Sequence, residues 1–465
     1  MKRRVGRVIL PVVLGGLLLG VLGAVYWPAP GPRYAGEPVG HWLALSVSED
    51  HRERLRAEAV LGGMGAEAVP ELARALRARE SRVTLWHRRV RQWLLPGGRP
   101  APSAEVRVAA AVRQVARLGS AGRAAAPALR EAVGSGPESG TEAAAVLVRL
   151  GRPALPVVLA ALREDPPPVR NRLLTALERV EPSGWPDATV TALVDGLLGL
   201  HAADEAIERH RLPTVLARLG GGDPRVPAVL ADLVERGSAE ERLAAARGLA
   251  ALGPAARGTT NALRVMLAAD APSERHAAAV AWWSVTREAE PVMPVLIGLV
   301  GDPEVGWRAA HLLGQIGAAA APAVPVLLEL LETEATHRPS RTPSMTAVAL
   351  GKIGVEVPEA VVPGIVRLLE HARTDVRLNA AAAVQALGPG AAPAMPALVA
   401  MLRAGDPEER MTAANALAAL GPVAQGAEGA LDELARETSG DVLVGHVASS
   451  AREALRRIRG VAVTP

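Results

Sequence analysis

Seven arginines recur at the same point of a repeating pattern, and this recurrence constrains the fold more than any other feature. They are Arg54, Arg170, Arg209, Arg242, Arg275, Arg377 and Arg410. Several neighbours in this series are 33 residues apart. Eleven residues after most of them lies a glycine: Gly65, Gly220, Gly253, Gly388 and Gly421. A period of this size predicts a stacked array of small units rather than one globular core.

The composition favours thin helices that pack closely. Hydrophobic residues make up 49% of the chain, mostly Ala, Leu and Val, whereas aromatic residues make up 2% and Phe is absent. Because Ala and Leu are strong helix formers, and few of the apolar runs are β-branched or aromatic, the units should be helical. The chain has no Cys, which excludes disulfides, thiol catalysis and thiolate metal sites.

The N-terminal segment has the composition of a membrane anchor. Val8–Trp27 is an uncharged run of 20 residues, which at 1.5 Å per residue matches a hydrocarbon thickness of about 30 Å. Basic residues precede this run, so the N-terminus should be cytoplasmic and the rest of the chain periplasmic in a bacterium. The alternative is secretion after cleavage of a signal peptide, since signal peptides share a basic start and an apolar stretch.

A single unit, residues 377–402, shows the sequence pattern of the repeat. Apolar residues at helical spacing predict a first helix with one apolar face. Gly388 should end that helix in a left-handed conformation, and Pro396 falls where a second helix begins, since proline is tolerated in a first turn. The next unit starts at Asp406, whose side chain can accept hydrogen bonds from the free backbone N–H groups of a helix start.

These units resemble the HEAT repeat, including the HEAT-like repeats named for phycobilisome lyases. The first-helix resemblance is carried by Asp406, Pro407, Arg410, Ala413, Ala414, Leu417, Leu420 and Gly421. The second-helix resemblance is carried by Ala318, Pro322, Val324, Pro325, Leu327 and Leu328. The lead-in is similar to that of membrane-anchored bacterial HEAT-repeat proteins at Tyr34, Gly36, Trp42 and Leu43. The resemblance extends over most of the chain after the anchor, and it implies an α-solenoid with a binding role rather than a reaction.

We therefore predict an all-α chain, with one transmembrane helix followed by a right-handed α-solenoid of about eleven HEAT-like helical hairpins. Residues 1–32 should hold the cytoplasmic basic tip, the transmembrane anchor and a proline-rich stalk. Residues 33–465 should form the solenoid, with insertions near residues 80–103 and 333–344. Val442–Ile458 should be a single closing helix with a polar outer face.

The repeated arginine is expected to be structural. An arginine at one fixed place in every unit most simply donates to an aspartate or to a backbone carbonyl of a neighbouring turn, and Asp302, Asp375 and Asp406 are the expected acceptors. The alternative is a series of anion-binding sites. The pattern departs from its consensus where Gly306 stands in place of the arginine and Thr286 in place of the glycine, so the local geometry should differ there.

The sequence contains no motif that predicts catalysis, a cofactor or a metal. No two of the 10 histidines lie three or four residues apart, so no single helix presents a histidine pair to a metal. A phosphate-binding P-loop and a G-x-S-x-G nucleophile turn are also missing from the sequence. We therefore predict a protein that is not an enzyme, uses no cofactor and has no catalytic, cofactor-binding or metal site.

Five residues are candidate partner contacts: Trp283, Trp307, Arg88, Arg89 and Arg91. Trp282 takes a position that is a core leucine in other units, so it should be buried. Trp283 and Trp307 occupy variable positions and would anchor a partner if they were exposed. The three arginines belong to an insertion helix, residues 81–95, with a basic amphipathic pattern. That helix either caps the open edge of the solenoid or lies on a membrane surface.

The predicted function is a non-catalytic protein-interaction scaffold on the inner membrane, which binds an unknown protein or polymer partner on its curved surface. One alternative is a nucleic-acid-binding array, favoured by 21 Lys and Arg against 9 Asp and Glu in residues 1–130. The predicted export argues against it, because the array would not meet the genome. A second alternative, a lyase-type or repair-type HEAT enzyme, is disfavoured by the missing site chemistry. The sequence does not assign the oligomeric state.

Overall fold

The computed structural model describes residues 33–80, 85–86, 103–181, 185–202, 209–334, 345–437 and 442–460. Across these ranges the chain is almost entirely helical, and its β-structure is limited to one antiparallel hairpin of Arg33–Tyr34 (β1) with Glu37–Pro38 (β2). The predicted all-α class is therefore confirmed. The chain divides into two compact units, Met1–Gly220 and Gly221–Pro465.

The first unit consists of a lead-in helix followed by pairs of helices. Its described helices are α1 (Val39–Leu45), α2 (His51–Gly63), α3 (Val69–Leu76), α4 (Ala104–Leu118), α5 (Ala126–Val133), α6 (Pro137–Arg149), α7 (Leu155–Glu164), α8 (Pro167–Arg179), α9 (Asp187–Ala202) and α10 (Leu212–Leu219). First helices pack on first helices, as α4 does on α6 and α6 on α8, while the second helices α5, α7 and α9 form the other layer.

The second unit continues the same two-layer stacking. Its described helices are α11 (Arg225–Arg236), α12 (Ala239–Leu252), α13 (Thr260–Leu267), α14 (Pro272–Thr286), α15 (Met293–Leu299), α16 (Gly306–Ile316), α17 (Val324–Glu334), α18 (Met345–Glu356), α19 (Pro358–Leu369), α20 (Thr374–Leu387), α21 (Met395–Ala404), α22 (Pro407–Leu420), α23 (Glu428–Ala435) and α24 (Val442–Ile458). The helix α24 has the predicted bounds and packs on α22 and α23. Each unit is thus an α-solenoid of helical hairpins.

Helix starts follow the predicted capping chemistry. The Asp406 side chain accepts from the backbone N–H groups of Glu408 and Glu409, both at 3.0 Å, at the start of α22. The Glu409 side chain in turn accepts from the N–H of Asp406 at 3.0 Å, so the two residues satisfy each other's free donors. Proline at position 407 fits the first turn, where its missing N–H costs nothing.

Helix ends use glycine, although not in the predicted conformation. Gly388 follows α20 with φ +69° and ψ −142°. The φ value is positive as predicted, but ψ lies outside the left-handed helical region, in an area of conformational space that is essentially reserved for glycine. The chain therefore bends sharply and enters a short 3-10 segment, Gly388–Ala394, which leads directly into α21.

One of the seven arginines does not occupy the predicted position. Six of them, Arg54, Arg170, Arg242, Arg275, Arg377 and Arg410, are the fourth residue of a first helix, and Arg107 joins them there. Arg209 instead lies in a 3-10 turn before α10. The reason is Pro213, which is tolerated only in a first turn and so places the start of α10 at Leu212. The 33-residue spacing of Arg209 therefore does not reflect an equivalent position.

The two ends of the described chain are closed by local contacts. The Trp42 indole, 4% exposed, donates to the carbonyl of Tyr34 at 3.1 Å and so holds the β1–β2 hairpin against α1. At the other end, Arg459 follows α24 and donates to Glu428 and Asp432 of α23, both at 2.9 Å. Arg456 on the outer face of α24 is exposed, as predicted for a closing helix.

Candidate partner-binding surface

The repeated arginines are held by the chain itself. Arg377 donates through Nε to the Glu409 carboxylate at 2.6 Å and through Nη1 to the carbonyls of His371 and Ala372 at 2.7 and 2.8 Å. Glu409 is 3% exposed. The guanidinium thus joins the loop before its own helix to the first turn of the next first helix. The structural interpretation of these arginines is supported over the series of anion-binding sites.

Arg242 makes the same kind of contacts in its own repeat. It donates through Nη2 and Nε to the two carboxylate oxygens of Glu274 at 2.6 and 3.2 Å, and through Nη1 to the carbonyl of Gly237 at 3.0 Å. These hydrogen bonds to Glu274 raise the pKa of the Arg242 guanidinium above its ordinary value. We use the name arginine ladder for the arginines at the fourth position of the first helices, together with the glutamates that stand directly before some of them in sequence. Its arginines are Arg54, Arg107, Arg170, Arg242, Arg275, Arg377 and Arg410.

The carbonyl acceptors were predicted, but the predicted carboxylates were wrong. Asp302 and Asp406 cap the starts of their own repeats, and Asp375 pairs with Arg373. For Arg242 and Arg377 the carboxylate partners are glutamates 32 residues further on, in the first turn of a later first helix, whereas Arg410 pairs with Glu437. A sequence signal for them existed: a glutamate directly precedes the ladder arginine at positions 53, 241, 274 and 409.

Breaking the ladder should destabilise the fold far more than breaking an exposed ion pair on the same helix. Arg377→Ala leaves Glu409 buried without its cation, which costs about 3 kcal/mol or more. Arg373→Ala removes a pair with Asp375 in which both side chains are more than one third exposed, worth about 0–1 kcal/mol. Urea unfolding of the full chain measures both changes. Equal losses for the two variants would contradict the structural role of the ladder.

The ladder is interrupted in the repeat whose first helix is α16. Asp302 accepts from the N–H groups of Glu304 and Val305 at 2.9 and 3.0 Å, which is the cap that Asp406 makes in α22. Val305 therefore stands in place of the ladder glutamate and Gly306 in place of the arginine, as the sequence predicted for position 306. A Cβ on Gly306 would lie 2.3 Å from the Val300 carbonyl, so only glycine fits this turn.

Where the ladder residues are missing, the neighbouring first helices α14 and α16 pack less closely. Arg275 has no carboxylate from the next first helix within the described contacts; its hydrogen bonds go to the carbonyls of Ala269 and Asp270 at 2.9 and 2.6 Å. The helices α14 and α16 touch at few points, whereas α12 packs along α14 and α16 along α18. The first-helix layer therefore presents a more open surface at this junction.

Two candidate tryptophans lie on α14 and α16 beside this junction. Trp307 is 50% exposed, and the Arg308 guanidinium lies 5.0 Å from its ring centroid. Trp283 is half-buried, with the Arg287 guanidinium 5.4 Å from its ring centroid. Trp282, by contrast, is 2% exposed, which confirms the predicted core position. Trp307 is thus the more accessible of the two candidate anchors, and each has an arginine stacked over it.

The other candidate contacts are not described. Arg88, Arg89 and Arg91 lie outside the described residues, as does most of the predicted insertion helix. Its residues Leu85 and Trp86 are helical and 40% and 49% exposed. The basic amphipathic helix, and the polar loop predicted near residues 333–344, stay predictions.

One histidine of α14, His276, lies near Arg308 of α16 and is half-buried. Burial lowers the pKa of its imidazole, and the charges of Arg308 and Arg247 act in the same direction. The imidazole is therefore neutral in the folded protein at neutral pH.

The lowered pKa of His276 should make stability fall on acidification. The unfolded imidazole, with a pKa near 6.5, binds a proton that the folded one resists, so the free energy of unfolding drops as pH falls below about 6.5. The slope from one proton is at most about 1.4 kcal/mol per pH unit. His276→Gln should flatten this slope in urea unfolding between pH 7 and 5, whereas His446→Gln, at an exposed site, should leave it unchanged. An unchanged slope in His276→Gln would refute the assignment.

Clefts of appreciable size are found at two places among the described residues. One of about 340 Å³ lies beside Arg377 and Glu409, whose charged groups are already paired with each other. The other, of about 220 Å³, lies between α6 and α8. No group of three or more His, Asp or Glu side chains in the described ranges is arranged to hold a metal ion.

Evidence for a membrane span within the described ranges is weak. One helical stretch, Gly306–Thr333, is long and apolar enough to cross a membrane by length and composition. It consists of α16, a 3-10 segment and most of α17, and its Leu327 is fully buried in the second unit. A second candidate, Pro137–Arg149 with Arg152–Glu164, is bent by 113°. The predicted anchor Val8–Trp27 lies outside the described residues.

Comparison with known proteins supports the fold. No protein-family model and no curated protein matches the sequence. Among solved structures, yeast importin-beta (Kap95p) is similar at a TM-score of 0.57 and 14% identity, over 91% of this chain and 61% of that one. Another importin-beta structure has a TM-score of 0.48 at 14% identity, over 92% and 64%. The karyopherin Kap121p bound to the SUMO protease Ulp1p has 0.40 at 14%, over 90% and 57%.

Of these three, the yeast importin-beta match alone is close enough to support an argument, and at its identity it shows the fold alone. The chain spans about three fifths of the length of that protein. Together with the helical hairpins and the ladder, this likeness shows an all-α solenoid of HEAT-like helical repeats.

Proposed function

We propose that the protein is a non-catalytic scaffold that binds a protein partner through the first-helix surface of α14 and α16. The observation that carries this proposal is the exposure of Trp307 at the junction where the ladder is interrupted. Trp307 is half exposed on a chain with 2% aromatic residues, and tryptophan is enriched among the residues that carry binding free energy at interfaces. The importin-beta likeness supports the fold on which this rests and nothing more.

The surface around Trp307 has the properties of a binding hot spot. Trp and Arg are the residue types that carry most binding free energy at protein interfaces. Arg308 and Arg287 lie over the indole rings, so each pair offers a large flat apolar area together with hydrogen-bond donors. Because α14 and α16 touch at few points, a partner side chain can enter between them without displacing a close-packed contact.

We propose further that the solenoid is displayed from a bacterial inner membrane. The support is in the sequence: the uncharged Val8–Trp27 run, the basic residues before it and the short proline-rich stalk after it. In this arrangement the N-terminus is cytoplasmic and the repeats are periplasmic. Secretion after cleavage of the same segment is the alternative.

Photo-crosslinking tests the partner surface. A photoreactive phenylalanine analogue in place of Trp307 or Trp283 should give the same discrete adduct in native membranes, because both positions face one binding partner. The matched control is Val265, which is 68% exposed but lies on the second helix α13. Arg308→Glu should abolish the adduct from position 283. Adducts of equal yield from Val265, or none from Trp307, would disprove this surface.

Protease accessibility tests the display. In bacterial spheroplasts that express the full chain, added protease should digest the repeats while a cytoplasmic marker protein stays intact, since the positive N-terminus is retained inside. Full-length material should also stay with the membrane after an alkaline wash. Protection of the repeats would reverse the topology, and release of a shortened soluble form would favour the cleaved signal peptide.

A further inference from the structure

The cleft between α6 and α8 is a groove lined by arginines. Its volume is about 220 Å³, and its walls are formed by Thr141, Ala145, Val148, Arg149, Arg172, Thr175, Ala176, Arg179 and Val180. These residues recur every three to four positions on each helix, so the groove runs lengthwise between the two first helices. Its lining contains three arginines and, among the described residues, no carboxylate.

The groove lies at a second interruption of the ladder. The fourth residue of α6 is Gly140, where other first helices carry the ladder arginine. A Cβ at this position would lie 2.4 Å from the Val133 carbonyl oxygen and 2.7 Å from Nη1 of Arg172, so glycine leaves room for both the carbonyl and the guanidinium from α8. Arg172 also donates to the carbonyl of Val133, which fixes it at the N-terminal end of α6.

The remaining two arginines are at the opposite end of the groove. Arg149 is the last residue of α6 and Arg179 the last of α8, and both are exposed. The negative end of each helix dipole favours a cation there, so their charges are held in place without a ligand. Seven residues separate Arg172 from Arg179, which places the two ends about 10 Å apart along the helix at 1.5 Å per residue.

The two carboxylates at the C-terminal end of α8 are paired with arginines outside the groove. Glu178 lies 3.6 Å from Nη1 of Arg211, and Arg211 also donates to the hydroxyl of Thr175 at 2.6 Å. Glu181 is paired with Arg218. The groove therefore has positive charge at both ends and an apolar floor, formed by Ala145, Val148 and Ala176, between them.

We propose that this groove binds an extended acidic peptide segment of the protein partner, with the pattern acid-x-aliphatic-x-acid. In an extended strand, residues 1, 3 and 5 point to one side, and residues 1 and 5 are about 13 Å apart. The two acids would meet the arginines at the two ends, which long side chains can reach, and the aliphatic residue would lie on the floor. This inference rests on the proposed scaffold function and names the chemistry of its partner.

The apolar floor favours a peptide over a fully charged polymer. A polyphosphate chain or a lipid headgroup would satisfy the arginines but would place charge or water against the floor of alanine and valine side chains. An aliphatic side chain instead removes this surface from water. Charge alone therefore does not describe the groove, and spacing should matter for binding.

Fluorescence anisotropy with the full chain in an uncharged detergent tests the proposal. The probe is a labelled peptide, Asp-Ser-Val-Ser-Asp, and the comparison peptide has the same composition in the order Asp-Asp-Ser-Ser-Val. We expect the Arg149→Gln, Arg179→Gln double variant to bind the probe at least about tenfold more weakly, since two charge-assisted hydrogen bonds are lost. The matched control is Arg367→Gln, Arg403→Gln, which removes two exposed arginines from the last turns of α19 and α21.

The possible results distinguish a groove for an acidic peptide from a site for other polyanions or for a membrane. Selective loss in the groove variant, with weaker binding of the reordered peptide, supports the proposal. Unchanged binding in the groove variant, or equal binding of the two peptides, overturns it. Polyphosphate or phosphatidylglycerol vesicles that bind through the same arginines more tightly than the probe also overturn it, in favour of a polyanion or membrane site. Thermal unfolding confirms that both double variants are folded. A negative peptide result leaves the Trp307 crosslink test unaffected, and the reverse also holds.

Discussion

The ion pair between a guanidinium at the fourth position of a first helix and a glutamate of a later first helix links repeats of the second unit, at Arg242 and Arg377. Arg377 gathers the carbonyls of the loop before its own helix and the carboxylate of Glu409 in the next repeat. Glu409 at the same time caps its own helix by accepting from Asp406. One buried pair thus joins a loop, a helix start and the neighbouring repeat. Because a buried charge without its partner is costly, a slipped register between repeats would lose all three contacts together.

The sequence revealed the recurrence of this arginine but not the identity of its partner. Spacing identifies residues that occupy equivalent places, but the acceptor depends on which helices lie side by side, which the distance to the nearest aspartate in sequence does not show. A period of 33 residues with a partner at 32 residues requires a residue one place before the next arginine, which is where Glu274 and Glu409 stand. Spacing alone also does not show where a helix starts. Arg209 has the 33-residue spacing, but it lies before α10, whose start is set by Pro213.

The same limit applies to the candidate surface. Alignment on the repeat correctly placed Trp282 in the core, because a position that is leucine in other units is buried in all of them. It could not rank Trp283 against Trp307, since their exposure depends on the separation of α14 and α16. The sparse contact between these helices coincides with Val305 in place of the ladder glutamate, so that Arg275 donates to the carbonyls of Ala269 and Asp270 instead. The anchor Val8–Trp27 and the insertion arginines stay predictions.

The two surfaces that we propose for recognition both lie at interruptions of the ladder. Alanine-rich first helices pack too closely to leave space between them, as the fully buried Ala413 and Ala414 of α22 illustrate. In two repeats glycine stands in place of the ladder arginine. At Gly140 the vacant position admits an arginine of the next repeat and leaves a charged groove, and at Gly306 the junction loosens beside an exposed tryptophan. Positions that break a structural rule without a local gain in stability are where function is expected. In this solenoid the rule is local and periodic, so its exceptions can be located by eye in the sequence once the role of the arginine is known.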